Sequence, residues 1–433
     1  MISSFKSIPG ILILGLYGSI FVLDFLAMEL ELIPRGSVRL PEICIMGLVM
    51  VLLAKRPKGQ RLYVPDFCLL LLLVSILGCI TAILSGQDWF RAVVAIRNIG
   101  RFAVLAFVLA NLRMSDGFER GIIALVLVVL FIQIPATIVQ WGIIGRTDDG
   151  VSGTLRSTGS MAILMLFLML VVFAAVVHLK KRPMLLILIP LICLPSLLGE
   201  GKFFFFVMPL LLALAYFDAI KRRPIGGTIS VLASVAAFWY AIGSFGSVEG
   251  QIDLLGFLRE KLHDPFGRTG LETDVSQMGR TEEILSGVEA GRRNFGFGEG
   301  LGSWTSFGYE VDPETGTRAM ITTTAAVRIA ELGLLGGASY LVMWLKIAWS
   351  TYRFSRRTKS SYRRFVSALT AVSMVLLLIS LFYSNIETPT VSLVFWTFIG
   401  LAYRHRFLEK RSEMEALHRS TKMFPMRGAV ATS

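Results

Sequence analysis

The sequence predicts an all-α membrane bundle of about twelve transmembrane helices, and three observations lead there. Hydrophobic residues fill 54% of the 433 positions and charged residues only 17%, against about 25% charged in an average soluble domain. Long apolar runs recur along almost the whole chain, and a hydrocarbon core of about 30 Å takes roughly 20 such residues per helix. The connectors alternate between basic and non-basic. A soluble globular enzyme is therefore excluded. The formal net charge of +13 is no nucleic-acid footprint until its location is known.

The spans are expected near residues 9–27, 38–54, 64–86, 91–112, 121–144, 158–178, 184–199, 203–220, 225–244, 321–350, 365–383 and 388–403. Lys55-Arg56-Pro57-Lys58, Lys180-Lys181-Arg182, Lys221-Arg222-Arg223 and the run Arg353 to Arg364 all fall on one side. Basic connectors stay in the cytoplasm, so both termini are expected there. On these boundaries the cytoplasmic segments hold 26 of the 43 Lys and Arg and 5 of the 30 Asp and Glu, about +21. The external segments hold 11 basic and 20 acidic residues, about −9. The basic excess thus reads as a topology signal, joined by attraction to anionic inner-leaflet lipid.

Four divisions follow: residues 1–244 carry spans one to nine, 245–320 a large external loop, 321–403 spans ten to twelve, and 404–433 a basic cytoplasmic tail. Cys44, Cys68, Cys79 and Cys193 all lie in apolar runs without C-x-x-C spacing and read as small buried hydrophobes. The first apolar run, Ile11 to Ala27, is long enough to span and no A-x-A site follows it, which argues against a cleaved signal peptide.

The external segment 245–320 is too long for a simple linker. Leu254, Leu255, Phe257, Leu258 and Leu262, interleaved with Arg259, Glu260 and Lys261, predict an amphipathic helix at the membrane surface. Gly279 then punctuates the chain before a second short helix, capped by Thr281 and ended by Gly291.

Ionisable residues inside a span usually face a cavity or a partner. Arg97 and Arg101, spaced i,i+4, share one face of the fourth span. Two accounts stand: a pair satisfied by Asp24, Asp66 or backbone carbonyls, or an outward-opening anion site, for which the guanidinium fork suits phosphate. Arg328 and Glu331, i,i+3 in the tenth span, are either a structural ion pair or part of that site. Arg156, Lys202, Arg280, Arg292 and Arg293 are further external positives on an otherwise acidic face. Glu29 and Glu31 form a possible acid/base pair or a solvated loop edge. The run Phe295-Gly296-Phe297-Gly298-Glu299-Gly300-Leu301-Gly302 offers either a backbone N–H nest for an anion or a tight loop before Trp304. Rossmann and P-loop patterns, metal-ligand spacing and D-x-D are all absent from the sequence.

The spans, the large external loop and the blocks Gly279-Arg280, Phe295 to Gly302 and Ala330-Glu331-Leu332-Gly333-Leu334-Leu335-Gly336 together resemble the O-antigen ligase and polysaccharide polymerase superfamily of bacterial membrane proteins, with its R…G-x-G-x-G…E-x-G-x-x-G series. The motif likeness covers roughly residues 280–340. The resemblance implies a C-type glycosyltransferase-like bundle that joins polyprenyl-pyrophosphate-linked oligosaccharides at the outer face of the inner membrane, without metal or other cofactor. It implies Arg280 and Glu331 as catalytic residues, Arg280 at the donor's pyrophosphate. Arg97, Arg101, Arg156, Lys202 and Arg328 would bind substrate, Lys202 standing where relatives carry an Arg. Ligases carry a His about nine residues before the Glu of E-x-G; Thr322 stands there, which argues for a polymerase with its base unassigned. Implied partners are the lipid-linked donor and acceptor, membrane lipid, a chain-length regulator and a flippase, and no nucleic acid. The competing readings are a ligase and a twelve-span transporter or flippase; the latter would show matching broken helices in two halves.

Overall fold

The computed structural model describes residues 6–23, 25–26, 39–56, 62–87, 89–145, 151–155, 157–179, 183–198, 203–204, 207–214, 275–304, 309–311, 318–320 and 323–423. In chain order its helices are α1 (Ile8–Gly18), α2 (Leu40–Ala54), α3 (Asp66–Leu84), α4 (Trp89–Asn111), α5 (Asp116–Gly142), α6 (Thr158–Leu179), α7 (Leu188–Leu198), α8 (Val275–Gly296), α9 (Thr324–Arg357), α10 (Ser361–Ser380) and α11 (Pro389–Met423). A π-turn, Ser19–Leu23, extends α1, and a 3₁₀ turn, Pro183–Ile187, leads into α7. Residues 207–214 are also helical. The expected span 225–244 and the expected surface helix at 254–262 lie outside the described residues.

Six of these helices, α3, α4, α5, α6, α9 and α10, are long and apolar enough to cross a membrane, and α1 with its π-turn and α2 are shorter apolar helices. The chain is a helical membrane protein. Its outer surface agrees: Leu69, Leu72, Leu73, Ile76, Ile80 and Ile83 stand exposed along α3. Such a continuous apolar face is rare on a soluble monomer. By contrast, every residue from Ser160 to Ala174 of α6 is buried, as expected of a helix that is apolar all round and enclosed by others. Helix α6 packs on α10 and α7, α4 on α11, and α9 on α3, α8 and α10. The cysteine expectation needs correcting. Only Cys193 is buried, Cys44 and Cys68 are half-buried, and Cys79 is exposed on the apolar surface of α3, where lipid can cover a thiol as well as protein can.

Two expectations for the segment 245–320 are corrected. The helix expected between Thr281 and Gly291 runs from Val275 to Gly296, so Thr281 is no cap and Gly279 and Gly291 are interior. Gly291 serves packing: a Cβ there would lie 2.6 Å from the Ile329 carbonyl oxygen, and one at Gly287 2.6 Å from that of Ala326. Side-chain-free turns let α8 lie directly on α9, the small-residue contact that membrane helices use. The all-α expectation also yields a little. A two-stranded antiparallel ribbon, Tyr309–Val311 with Arg318–Met320, pairs Glu310 with Ala319.

Candidate functional site

The site is assembled where α8, the glycine run, α9 and the α10–α11 turn meet. The glycine run sets the geometry. Gly296, Gly298, Gly300 and Gly302 all have positive φ, a region open to glycine at little cost. Gly333 inside α9 is left-handed too, with φ 69° and ψ −177°, and breaks the helix there. A break leaves helix carbonyls without their donors, and the glycine run supplies them. The N–H of Glu299 donates to the Ala330 carbonyl at 2.9 Å, and that of Gly300 to the Glu331 carbonyl at 3.1 Å. The Gly298 N–H donates to Arg293 at 3.2 Å. Three of the donors that could form an anion nest, on Gly298, Glu299 and Gly300, are thus turned onto protein carbonyls, as a tight loop requires.

A chain of charge-assisted hydrogen bonds crosses the junction. Arg293 Nη1 donates to Glu299 Oε1 at 2.6 Å, and the Trp304 indole Nε1 donates to Glu299 Oε2 at 2.6 Å. The Trp304 backbone N–H donates to Glu331 Oε1 at 3.1 Å. Arg328 Nη1 donates to Glu331 Oε2 at 2.5 Å, its Nε to Glu387 Oε1 at 2.7 Å, and its Nη2 to Glu387 Oε2. The Tyr340 hydroxyl donates to Glu387 Oε1 at 2.8 Å. The Arg328 side chain is 2% exposed, that of Glu331 0% and that of Glu387 15%. Ions this far from water persist only when paired and hydrogen-bonded. The three groups sum formally to −1.

The turn that carries Glu387 is fixed by α9. Thr324 and Ala325, in the first turn of α9, donate their N–H groups to Ser384 and Leu381, while the Ile386 N–H donates to Thr324 Oγ1 at 2.9 Å. Glu283 of α8 accepts the Thr323 N–H at 3.1 Å.

Below Glu387 lies a narrow cleft of about 10 Å³, room for one water, between α4, α9, α10 and α11. Asn98, Tyr340, Glu387 and Ser392 give it polar edges, and Trp344, Phe395 and Trp396 line it among other apolar groups.

The arginines of α4 stand beside this cleft on the same helix. Arg101 Nη1 meets Glu42 Oε1 of α2 at 3.1 Å, and Arg97 Nη2 lies 3.9 Å from the same oxygen. Arg97 also donates to Asn98 Oδ1 at 3.3 Å. Among the described residues Glu42 is thus a partner of both, and Asp66 pairs with Arg406 at 3.3 Å; Asp24 lies outside the described residues. Glu42 thus meets both guanidiniums; the three groups taken alone sum formally to +1, and the Arg97 side chain is 57% exposed.

Of the other predicted site residues, Arg280 lies on α8, with its side chain not described, and Arg156 and Lys202 fall outside the described residues, as do Glu29, Glu31 and Thr322. Arg292 is exposed. Sequence reading paired Arg328 with Glu331 but missed Glu387, Tyr340, Glu42 and Asn98. A second buried cluster at the other end of the bundle was also missed: Glu119 of α5 lies 2.6 Å from His405 Nε2 and 3.7 Å from Arg404 Nη1 of α11.

A scan of the chain against models of known protein families gives no match, and neither does a search of curated proteins.

Proposed function

We propose that the chain is an inverting glycosyl polymerase with twelve spans, both termini in the cytoplasm and the α8 junction facing outward. A hydroxyl of the non-reducing sugar of one lipid-linked repeat attacks the anomeric carbon of a second. The new C–O bond forms as the bond to diphosphate breaks, polyprenyl pyrophosphate leaves with the electron pair, and the hydroxyl proton passes to a general base. A polyprenyl diphosphate is already a good leaving group. The protein's task is then to orient the hydroxyl and stabilise charge developing on phosphate, which arginines in a low-dielectric site can do. In this reading Arg97, Arg101 and Arg280, with Arg156 and Lys202, attend the diphosphate. Arg328, whose donors are held by Glu331 and Glu387, positions those two carboxylates.

The observation that carries the reading is the interlock of three sequence blocks: the helix bearing Arg280, the glycine run, and the E-x-G turn at Gly333. Their hydrogen bonds tie Glu331 and Arg328 to a junction beside a cleft and a cationic helix face. The α8 unit, with no counterpart among the described residues of the first half, favours this reading over a two-fold transporter. In cells that depend on this chain for polymer, Arg280→Ala and Arg97→Ala should each abolish polymer length while single repeats persist on the lipid. Normal chain length in both variants would sink the proposal. Product attached once to a lipid or glycan anchor, instead of growing, would mark a ligase.

A further inference from the structure

We infer that the cytoplasmic end of the bundle holds one anionic diacyl phospholipid, with one acyl chain in a crevice between α6, α9 and α10 and its phosphate at Arg353 and Arg356. The site does not depend on the proposed reaction; only its leaflet follows from the orientation proposed above. The crevice measures about 50 Å³. One water needs about 10–15 Å³ on that scale, so a few methylenes of one acyl chain fit, and a ring or a headgroup does not. The lining is graded along its length. His178, Tyr352 and Ser355 stand at the cytoplasmic end, and Leu170, Leu369 and Val372 line the deeper part. Leu170 lies roughly 12 Å further into the bundle than His178, at about 1.5 Å per helical residue. Tyr352 is 37% exposed, and His178, Ala368 and Val372 are half-buried, so among the described residues one side of the crevice is open. A polar mouth above an apolar slot matches the outline of a lipid.

The mouth is set in an aromatic and basic stripe. Leu345 and Lys346, then Trp349, then Tyr352, Arg353 and Arg356 are exposed along α9, and spacings of three and four put them on one face. That face passes from hydrocarbon through interfacial aromatics to cations, which sets the headgroup level just beyond Trp349. Arg353 and Arg356 lie roughly 6 and 10 Å beyond it along the helix. Charge fixes the headgroup class. No acidic residue occurs between Glu331 and Glu387. Glu409 of α11, near this end, accepts from Thr358 Oγ1 at 2.8 Å and pairs with Arg363 at 3.7 Å. Two guanidiniums one turn apart suit a phosphodiester, whereas a zwitterionic head brings its own cation against them. Orientation by basic connectors asks only for positive charge on this side; it does not ask for aromatics on the same helix face or a slot below. A free phosphate would leave the slot unused.

The test uses the full chain purified in detergent, stripped of lipid and titrated with phosphatidylglycerol or phosphatidylcholine of identical chains. Bound copies are counted by native mass spectrometry. The first phosphatidylglycerol should bind about ten-fold more tightly than phosphatidylcholine, the worth of one charge-assisted contact. Inorganic phosphate and glycerophosphoglycerol, the same headgroup without chains, should not displace it. Arg353→Gln combined with Arg356→Gln should remove the preference and leave the fold intact, since both side chains are exposed. Ala368→Phe fills the slot from a half-buried position and should weaken both lipids alike; the chain-free headgroup tests the slot without altering the protein. Equal affinity for the two lipids, displacement by phosphate or by glycerophosphoglycerol, or an unchanged preference in the double variant overturns the site. Undiminished binding to Ala368→Phe does so too. Polymer assays of Arg280→Ala and Arg97→Ala bear on the reaction alone, so the lipid site and the polymerase reading fail separately.

Discussion

Arg328 holds Glu387, 59 positions further along the chain, through two parallel hydrogen bonds, with Nε 2.7 Å from Oε1 and Nη2 on Oε2. This fork-on-fork contact joins the start of α9 to the α10–α11 turn. It leaves Nη1 for Glu331 at 2.5 Å, so one guanidinium locks two elements beneath the glycine run. Breaking a buried pair by deleting one partner strands the other charge and costs about 3–5 kcal/mol. Arg328→Ala strands two carboxylates and should be the most destabilising single change at the junction. Thermal unfolding in detergent should place it well below Glu387→Gln, which keeps an acceptor for Arg328. Equal stability of the two variants would show that the ion cluster does not hold this end together.

The glycine run separates backbone strain from steric conflict. At Gly296, φ is +85° and an added Cβ meets nothing within 4 Å, so Gly296→Ala bears only the left-handed penalty of roughly 1–2 kcal/mol. At Gly298, φ is +80° and the same Cβ would lie 2.5 Å from the Gly333 nitrogen. Gly298→Ala must therefore push the run off α9 and weaken the hydrogen bonds from Glu299 and Gly300. Unfolding midpoints should fall further for Gly298→Ala than for Gly296→Ala. The reverse order would mean that the run does not dock at the Gly333 break.

Helix positions were legible in the sequence because apolar length is a local property. The described helices start and stop within about five residues of the expected apolar runs, except where they outrun the apolar stretch: α9 continues to Arg357 and α11 to Met423. Glu331 and Arg328 were legible because i,i+3 spacing puts them on one face. Glu387 was not. It is a single carboxylate between two spans, and only tertiary packing reveals that its partner lies 59 positions upstream. Glu42 escaped for the same reason, which is why the expected carboxylate partners of Arg97 and Arg101 were Asp24 and Asp66. Gly291 was misread as a stop because a glycine that permits close packing and one that ends a helix look alike in one dimension.

The far end of the hydrogen-bond chain should behave asymmetrically. Arg293 is 63% exposed and Glu299 24%. An exposed ion pair contributes little, about 0–1 kcal/mol, so Arg293→Ala should scarcely move the unfolding midpoint. Glu299 also accepts from the Trp304 indole at 2.6 Å. Its loss leaves that partly buried donor without its acceptor, a penalty of about 1–3 kcal/mol. Glu299→Ala should thus destabilise clearly more than Arg293→Ala. If the two match, Trp304 is not anchored through Glu299.

The trio of Glu42, Arg97 and Arg101 offers the sharpest separation of scaffold from anion site. If Glu42 serves only to neutralise the two arginines, removing it harms the fold and creates no binding. If the face takes a diphosphate, Glu42 is a partial competitor for the guanidiniums. Glu42→Ala then raises the formal sum from +1 to +2 and should strengthen pyrophosphate binding, even as it loosens the contact between α2 and α4. The two effects have opposite signs in one thermal-shift titration: a lower midpoint without ligand and a larger rise per addition of inorganic pyrophosphate. Arg97, 57% exposed and 3.9 Å from Glu42, contributes little to folding. Arg97→Ala should therefore unfold like the parent and lose most of the pyrophosphate response. Arg101, 15% exposed and 3.1 Å from Glu42, should lose stability as well as response. A parent protein indifferent to pyrophosphate, with Glu42→Ala equally indifferent, would reduce the trio to helix packing and send the search for the diphosphate site to Arg280.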